Sequence, residues 1–190
     1  MSESVKKILV PTDFTKVAEC ALNHASTLAA RMDAEIHMLH IVSDDGDVEE
    51  ARTRVQMLID RAKAAGEKQP LLPQVRVGSV YEDIGTTATE IGAELIIMGT
   101  HGMHGMQFIT GSRALRVITN STVPFIVVQE RNIKPTGYQQ LVVPMDLQKE
   151  SRQKLTLVAD MAKYFKCKVH LVVPKEKDEF LHHQLVNHLK

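Results

Sequence analysis

The 190-residue chain has no tryptophan, three tyrosines and five phenylalanines. So few aromatics leave no base-stacking platform for single-stranded nucleic acid. Charge of one sign is missing too: 23 basic residues balance 23 acidic ones, for a formal net charge of zero. A binder of nucleic acid or of a membrane surface would normally carry a basic excess, so neither partner is expected. No apolar run is long enough to span a bilayer, and the segment from Met1 to Lys7 has no secretory apolar core. Cysteine is nearly absent. Cys20 and Cys167, each in a helix-like context, read as free packed thiols of a reducing compartment rather than a disulfide framework, so the expected location is the cytoplasm. What remains is 44% hydrophobic and 24% charged, the balance of a globular protein. The length suits one full domain and part of another.

The pattern alternates strands with helices. Ile8-Leu9-Val10 is an apolar run ended by Pro11, and Val17, Ala21, Ala25, Leu28 and Ala29 then recur at helical spacing. Glu35 to Val42 reads as a second strand. The acidic turn Asp44-Asp45-Gly46-Asp47 leads into a helix with Val48, Ala51, Val55, Leu58, Ile59 and Ala62 on one face, ended by Gly66. Val75 to Val77 is a third strand. Ser79 to Glu82 has the form of a capping box, opening a helix that turns Ile84, Ala88 and Ile91 inward. Leu95 to Met98 is a fourth strand, a helix runs from Arg113 to Thr119, and Pro124 to Val128 is a fifth strand. Such alternation predicts βαβ units, a mostly parallel sheet and helices on both faces.

Between the fourth strand and the next helix lies Gly99-Thr-His-Gly-Met-His-Gly-Met-Gln-Phe-Ile-Thr-Gly-Ser112. A glycine-rich strand-to-helix loop is suited to phosphate. Glycines let the backbone approach the anion, and the helix start offers unpaired N–H groups. The implied ligand is a nucleotide.

The chain then begins again. Leu141-Val-Val-Pro-Met-Asp146 repeats Ile8-Leu-Val-Pro-Thr-Asp13 at an offset of 133 residues, and at the same offset Ala29 meets Ala162, Ile36 meets Val169 and His37 meets His170. The expected organisation is a domain over residues 1–130, a linker over 131–137 containing Pro135 and Gly137, and a partial second repeat over 138–190. That repeat holds two strands and about two helices.

Several motifs together resemble the universal stress protein family: Val10-Pro-Thr-Asp13, Leu39-His-Ile-Val42, Gly78-Ser-Val80, Ile97-Met-Gly-Thr-His-Gly102 with Gly111-Ser112, and Val123-Pro-Phe-Ile-Val-Val128. The resemblance covers residues 5–129 as a whole domain and 138–190 as a truncated one. It implies an open five-stranded parallel sheet in the order 3-2-1-4-5, with ligand at the carboxyl ends of strands one and four, the topological switch point. The nucleotide-binding branch of that family carries a glycine, two residues, a glycine, nine residues, then glycine and a small polar residue. Here eight residues, Met103 to Thr110, separate Gly102 from Gly111. ADP or AMP would ask less of the shorter loop than ATP.

The resemblance also implies site roles. Pro11, Thr12 and Asp13 would face the nucleoside, with Asp13 on the base or ribose. The plain alternative is that Pro11 ends a strand and Asp13 caps a helix. Ile41 and Met98 would line the adenine, or belong only to the core. Gly99, Gly102 and Gly111 would offer backbone N–H groups, Ser112 a hydroxyl, and His101 and Arg113 could reach phosphate. The cofactor is then ATP or another adenine nucleotide, with Mg²⁺ held mainly by the phosphates. Family members pair their last strand across a two-fold axis, so a homodimer through strand five is expected.

Other chemistry fits poorly. His182, His183 and His188 are spaced by one, five and six residues, which scatters them around a helix, so no metal site is expected there. The acidic turn lacks the EF-hand glycine and final ligand. Neither a hydrolase elbow nor a P-loop lysine is present. Catalysis is expected to be absent or slow. The competing functions are an interaction module with an empty pocket and a slow nucleotide hydrolase.

Overall fold

A computed structural model describes residues 5–100, 112–145 and 149–172. They form two compact units, 1–133 and 134–190.

The first unit alternates strand and helix: β1 (Lys6–Pro11), α1 (Lys16–Met32), β2 (Ala34–Val42), α2 (Val48–Ala64), β3 (Leu71–Val77), α3 (Val80–Ile91), β4 (Leu95–Gly99), α4 (Ser112–Thr119) and β5 (Phe125–Val128). The strands make one parallel sheet in the order β3-β2-β1-β4-β5. Helices cover both faces, which explains the unbroken apolar runs of the inner strands. Ile8, Leu9, Val10, Ile96, Ile97 and Met98 are all fully buried. One helix-covered face holds a cluster of Leu9, Leu39, Ile84, Ala88, Ile96, Met98 and Val117, with Ile41 packed against it. On α1, alanines 21, 25 and 29 are fully buried, and their small side chains let the helix lie close to the strands.

Local chemistry sets the element ends. The Thr15 side chain accepts from Ala18 N–H at the start of α1, and Asp33 closes it in the left-handed region at φ 55°. The acidic turn is a short 3₁₀ turn, Asp45–Asp47, capped by the Asp44 side chain. After α2, Gly66 takes φ 100° and its N–H bonds Lys63 O. The cap on α3 differs in one partner from the sequence expectation. The Ser79 side chain accepts from Tyr81 N–H, but the reciprocal carboxylate on Ser79 N–H is Asp83 rather than Glu82. Glu82 is exposed, whereas Asp83 is also drawn in by Arg76, whose Nε lies 2.8 Å from it.

β3 starts at Leu71, four residues before the expected start at Val75. Pro73 lies within it. A proline is tolerated there because β3 is an edge strand, whose outward N–H groups have no ladder partner. Cys20 is buried and free. Burial, helped by Glu130 and Glu19, pushes its thiol pKa up, so it stays protonated and unreactive.

The second unit contains β6 (Gln140–Pro144), α5 (Lys149–Phe165) and β7 (Lys168–Val172), with β6 and β7 paired in parallel. The order of elements and the pairing repeat β1-α1-β2. Val143, Met145, Met161 and Phe165 are buried, and the Tyr138 ring meets Phe165 edge-on at 5.0 Å. Cys167 falls between α5 and β7, outside the helix expected to carry it, and is half-buried. The expected second helix of this unit and the histidines at 182, 183 and 188 lie outside the described residues.

Candidate functional site

The carboxyl ends of β1 and β4 lie side by side in the sheet, with β2 flanking β1. At the end of β1, Pro11 has no N–H and the ladder finishes one residue later, where Thr12 N–H donates to Leu39 O at 2.8 Å. The chain then turns sharply. Phe14 adopts φ 64°, a left-handed conformation that costs a bulky residue about 1 kcal/mol or more. The turn is held by its own side chains. Thr12 Oγ1 accepts from Phe14 N–H at 3.1 Å. Asp13 Oδ1 accepts from both Thr15 N–H (3.1 Å) and Thr15 Oγ1 (2.6 Å). Asp13 therefore braces the Thr15 cap rather than capping α1 itself. Its second oxygen, Oδ2, has no partner among the described residues. The carboxylate is half-buried just past the end of β1.

From β2, His40 reaches this turn, and its Nδ1 lies 2.7 Å from the Thr12 carbonyl. A carbonyl only accepts, so Nδ1 carries the proton and Nε2 keeps a lone pair in the neutral ring. Burial first, and the neighbouring Arg54 second, push the His40 pKa down, against the opposing pull of the Thr12 bond and Asp13. The ring stays neutral at physiological pH. The Phe14 ring sits 4.6 Å from His40, and the Arg54 guanidinium on α2 lies 4.1 Å from the Phe14 centroid. Ile41, the next residue on β2, is half-buried against the cluster that contains Met98.

At the end of β4, Met98 is fully buried. At Gly99, packing leaves no room for a side chain. A Cβ built there would lie 2.5 Å from Val17 Cγ1, 2.7 Å from Val17 O and 2.8 Å from Val17 C. Thr100 N–H donates to Val128 O at 3.0 Å and ties the next residue to β5. Ser112 opens α4, with Arg113 second in the helix. His101, Gly102 and Gly111 lie outside the described residues. The fold thus gathers Pro11, Thr12, Asp13 and Ile41 on neighbouring strand ends beside the start of the glycine loop. It also adds His40, Phe14 and Arg54, which the sequence reading did not single out. Their only sequence signal is a histidine inside the apolar run Leu39-His40-Ile41. The three lie on separate elements, so no spacing connects them. A groove of about 730 Å³ between α2 and β3, lined by Arg52, Gln56, Met57, Asp60, Pro73 and Val75 among others, contains none of the expected site residues.

The universal stress protein family model matches residues 4–129. The chain belongs to that family. Universal stress protein MJ0577 of Methanocaldococcus jannaschii is 27% identical over 164 residues, covering 70% of this chain and 99% of the relative. Universal stress protein MJ0531 of the same organism is 30% identical over 142 residues, covering 66% of this chain and 82% of its own length. A solved structure of MJ0577 superposes with a TM-score of 0.51 at 29% identity, over 67% of this chain and 97% of that one. Two further structures share the fold at 22% identity: a universal stress protein in complex with cAMP (TM-score 0.54, covering 68% of this chain and all of that one) and one from Archaeoglobus fulgidus in complex with dAMP (TM-score 0.50, covering 65% and 97%). Among the described residues, no helix is long and apolar enough to cross a membrane and no cluster of metal ligands is found.

Proposed function

We propose that this universal stress protein binds an adenine nucleotide in the cleft after β1 and β4 and acts as a regulatory or sensing module in a stress response. The observation that carries the reading is the braced Asp13 carboxylate, with Oδ1 engaged by Thr15 and Oδ2 without a partner among the described residues, at the switch point of the sheet. A braced carboxylate at the end of β1, with half-buried Ile41 on the neighbouring strand, suits a nucleoside, which brings hydroxyl or amine donors and an apolar base. The cAMP and dAMP complexes of family members support the same ligand class. In this reading Pro11, Thr12, Asp13, Ile41 and Met98 surround the nucleoside. Gly99, His101, Gly102, Gly111, Ser112 and Arg113 attend the phosphates, and Mg²⁺ is carried by the phosphates of ATP. The protein works in the cytoplasm as a homodimer joined through β5, and the second unit is a partial repeat of the first.

The test is calorimetry with ATP, ADP and AMP in the presence of Mg²⁺. Gly111→Val is expected to abolish the heat of binding with the circular dichroism spectrum unchanged, because a branched side chain displaces phosphate from the backbone donors. Ser112→Ala is expected to weaken binding by about 1 kcal/mol, the scale of one hydrogen bond. The rival reading, an interaction module without nucleotide, draws on Gly99, whose lack of a side chain the contact with Val17 already requires. It predicts no heat with any of the three nucleotides.

A further inference from the structure

We propose that His40 is a positioning residue for the nucleoside site: from the neighbouring strand it pins the Thr12 carbonyl, and so holds the β1–α1 turn in the form that braces the Asp13 carboxylate. The inference rests on the nucleotide reading for its ligand, but its geometry stands apart from it.

The backbone ladder between β1 and β2 gives out at Thr12 N–H. Beyond that rung the chain must enter the unfavourable left-handed conformation of Phe14. A strained residue persists only where its surroundings over-determine it. Most of the restraints are local to the turn: Thr12 Oγ1 to Phe14 N–H, and Asp13 Oδ1 to the Thr15 amide and hydroxyl. Local bonds shape the turn but do not fix it to the sheet. His40 does so by two routes. Its Nδ1–H donates to Thr12 O at 2.7 Å, and its ring lies 4.6 Å from the Phe14 ring at a tilt of 46°. Arg54 reinforces the second route by lying over Phe14 at 4.1 Å. Strand β2 thereby holds the residues on either side of Asp13, and the carboxylate between them has little freedom to turn away.

Two substitutions separate the hydrogen bond from the bulk. In His40→Asn the side-chain amide places a donor where Nδ1 stood. In His40→Leu the donor is lost and an apolar side chain of similar reach remains. Calorimetry with AMP should show His40→Leu weakened by about fivefold to tenfold, the worth of one hydrogen bond, and His40→Asn close to wild type. A readout without ligand runs beside it. Nitrogen NMR of the wild-type ring should give the Nδ1–H tautomer, and hydrogen exchange at the Phe14 amide should speed up in His40→Leu but not in His40→Asn. If the wild type takes up no nucleotide, the nucleotide reading fails by itself, and the tautomer and exchange data still decide whether His40 holds the turn. An Nε2–H tautomer, or asparagine and leucine variants that behave alike in exchange or affinity, overturns the proposal.

Discussion

Gly99→Ala tests whether this glycine belongs to the packing of the sheet. Its Cβ would fall 2.5, 2.7 and 2.8 Å from three atoms of Val17. Two of these, the carbonyl oxygen and carbon, are backbone in the first turn of α1 and cannot rotate away. Relief needs α1 to move off β4, but Val17, Ala21 and Ala25 are all buried against the sheet. Overpacking of this kind costs about 1–3 kcal/mol, and because backbone is involved the upper end is expected. A loss of about 3 kcal/mol is a large share of a total stability of about 5–15 kcal/mol. For a unit of this size it lowers Tm by roughly 10 °C. Urea unfolding followed by circular dichroism measures it, with the midpoint reduced and the slope unchanged. Val17→Ala removes only the Cγ1 contact, so the double variant should recover a minor part of the loss. A Gly99→Ala protein within about 0.5 kcal/mol of wild type would refute the packing account, that being the spread of neutral surface changes.

Three further outcomes are expected. The His40 pKa is lowered in the folded protein, so as pH falls the unfolded chain takes up this proton first. The stability contribution is whole above about pH 6.5, the unfolded value, and is lost as pH falls through the folded value. Urea midpoints measured from neutral to mildly acidic pH should therefore drop less in His40→Asn than in wild type. Burial raises the Tyr138 pKa to about 12. The contribution of this group is whole below about pH 10, the unfolded value, and is lost as pH rises through the folded value. Fluorescence melts of wild type against Tyr138→Phe at alkaline pH should show the variant falling less. Val127 is 42% exposed on the edge strand β5, and Val127→Lys places like charges close to a two-fold axis. Light scattering should show a dimer in wild type and a shift toward monomer in the variant; wild type that stays monomeric at high micromolar concentration removes the β5 dimer.

Much of the fold was readable because both periods are clean. The inner strands run apolar without interruption from Ile8 to Val10 and from Leu95 to Met98, and α1 and α2 keep one apolar face. The early start of β3 was hidden by Pro73, which argues against a strand unless the strand is known to be an edge, and edge position belongs to the whole sheet. The cap on α3 was read one residue off because Ser79 has acids three and four residues ahead, and only Arg76 across the turn selects Asp83. Asp13 was expected as a site residue because its motif resembles that of the family. That one of its oxygens braces Thr15 depends on the turn, and no spacing encodes it. Gly99 was read as a ligand contact because it opens a glycine-rich loop. Its contact with Val17, more than eighty residues earlier in the sequence, gives it a packing role that the sequence could not display.

The most direct test of nucleotide binding is mass spectrometry of the small molecules released when the freshly purified protein is denatured, quantified against protein and repeated with Gly111→Val. The account predicts an adenine nucleotide released from the wild type and not from the variant. No adenine nucleotide from the wild type, together with no heat when ATP, ADP or AMP is titrated into it, would contradict it.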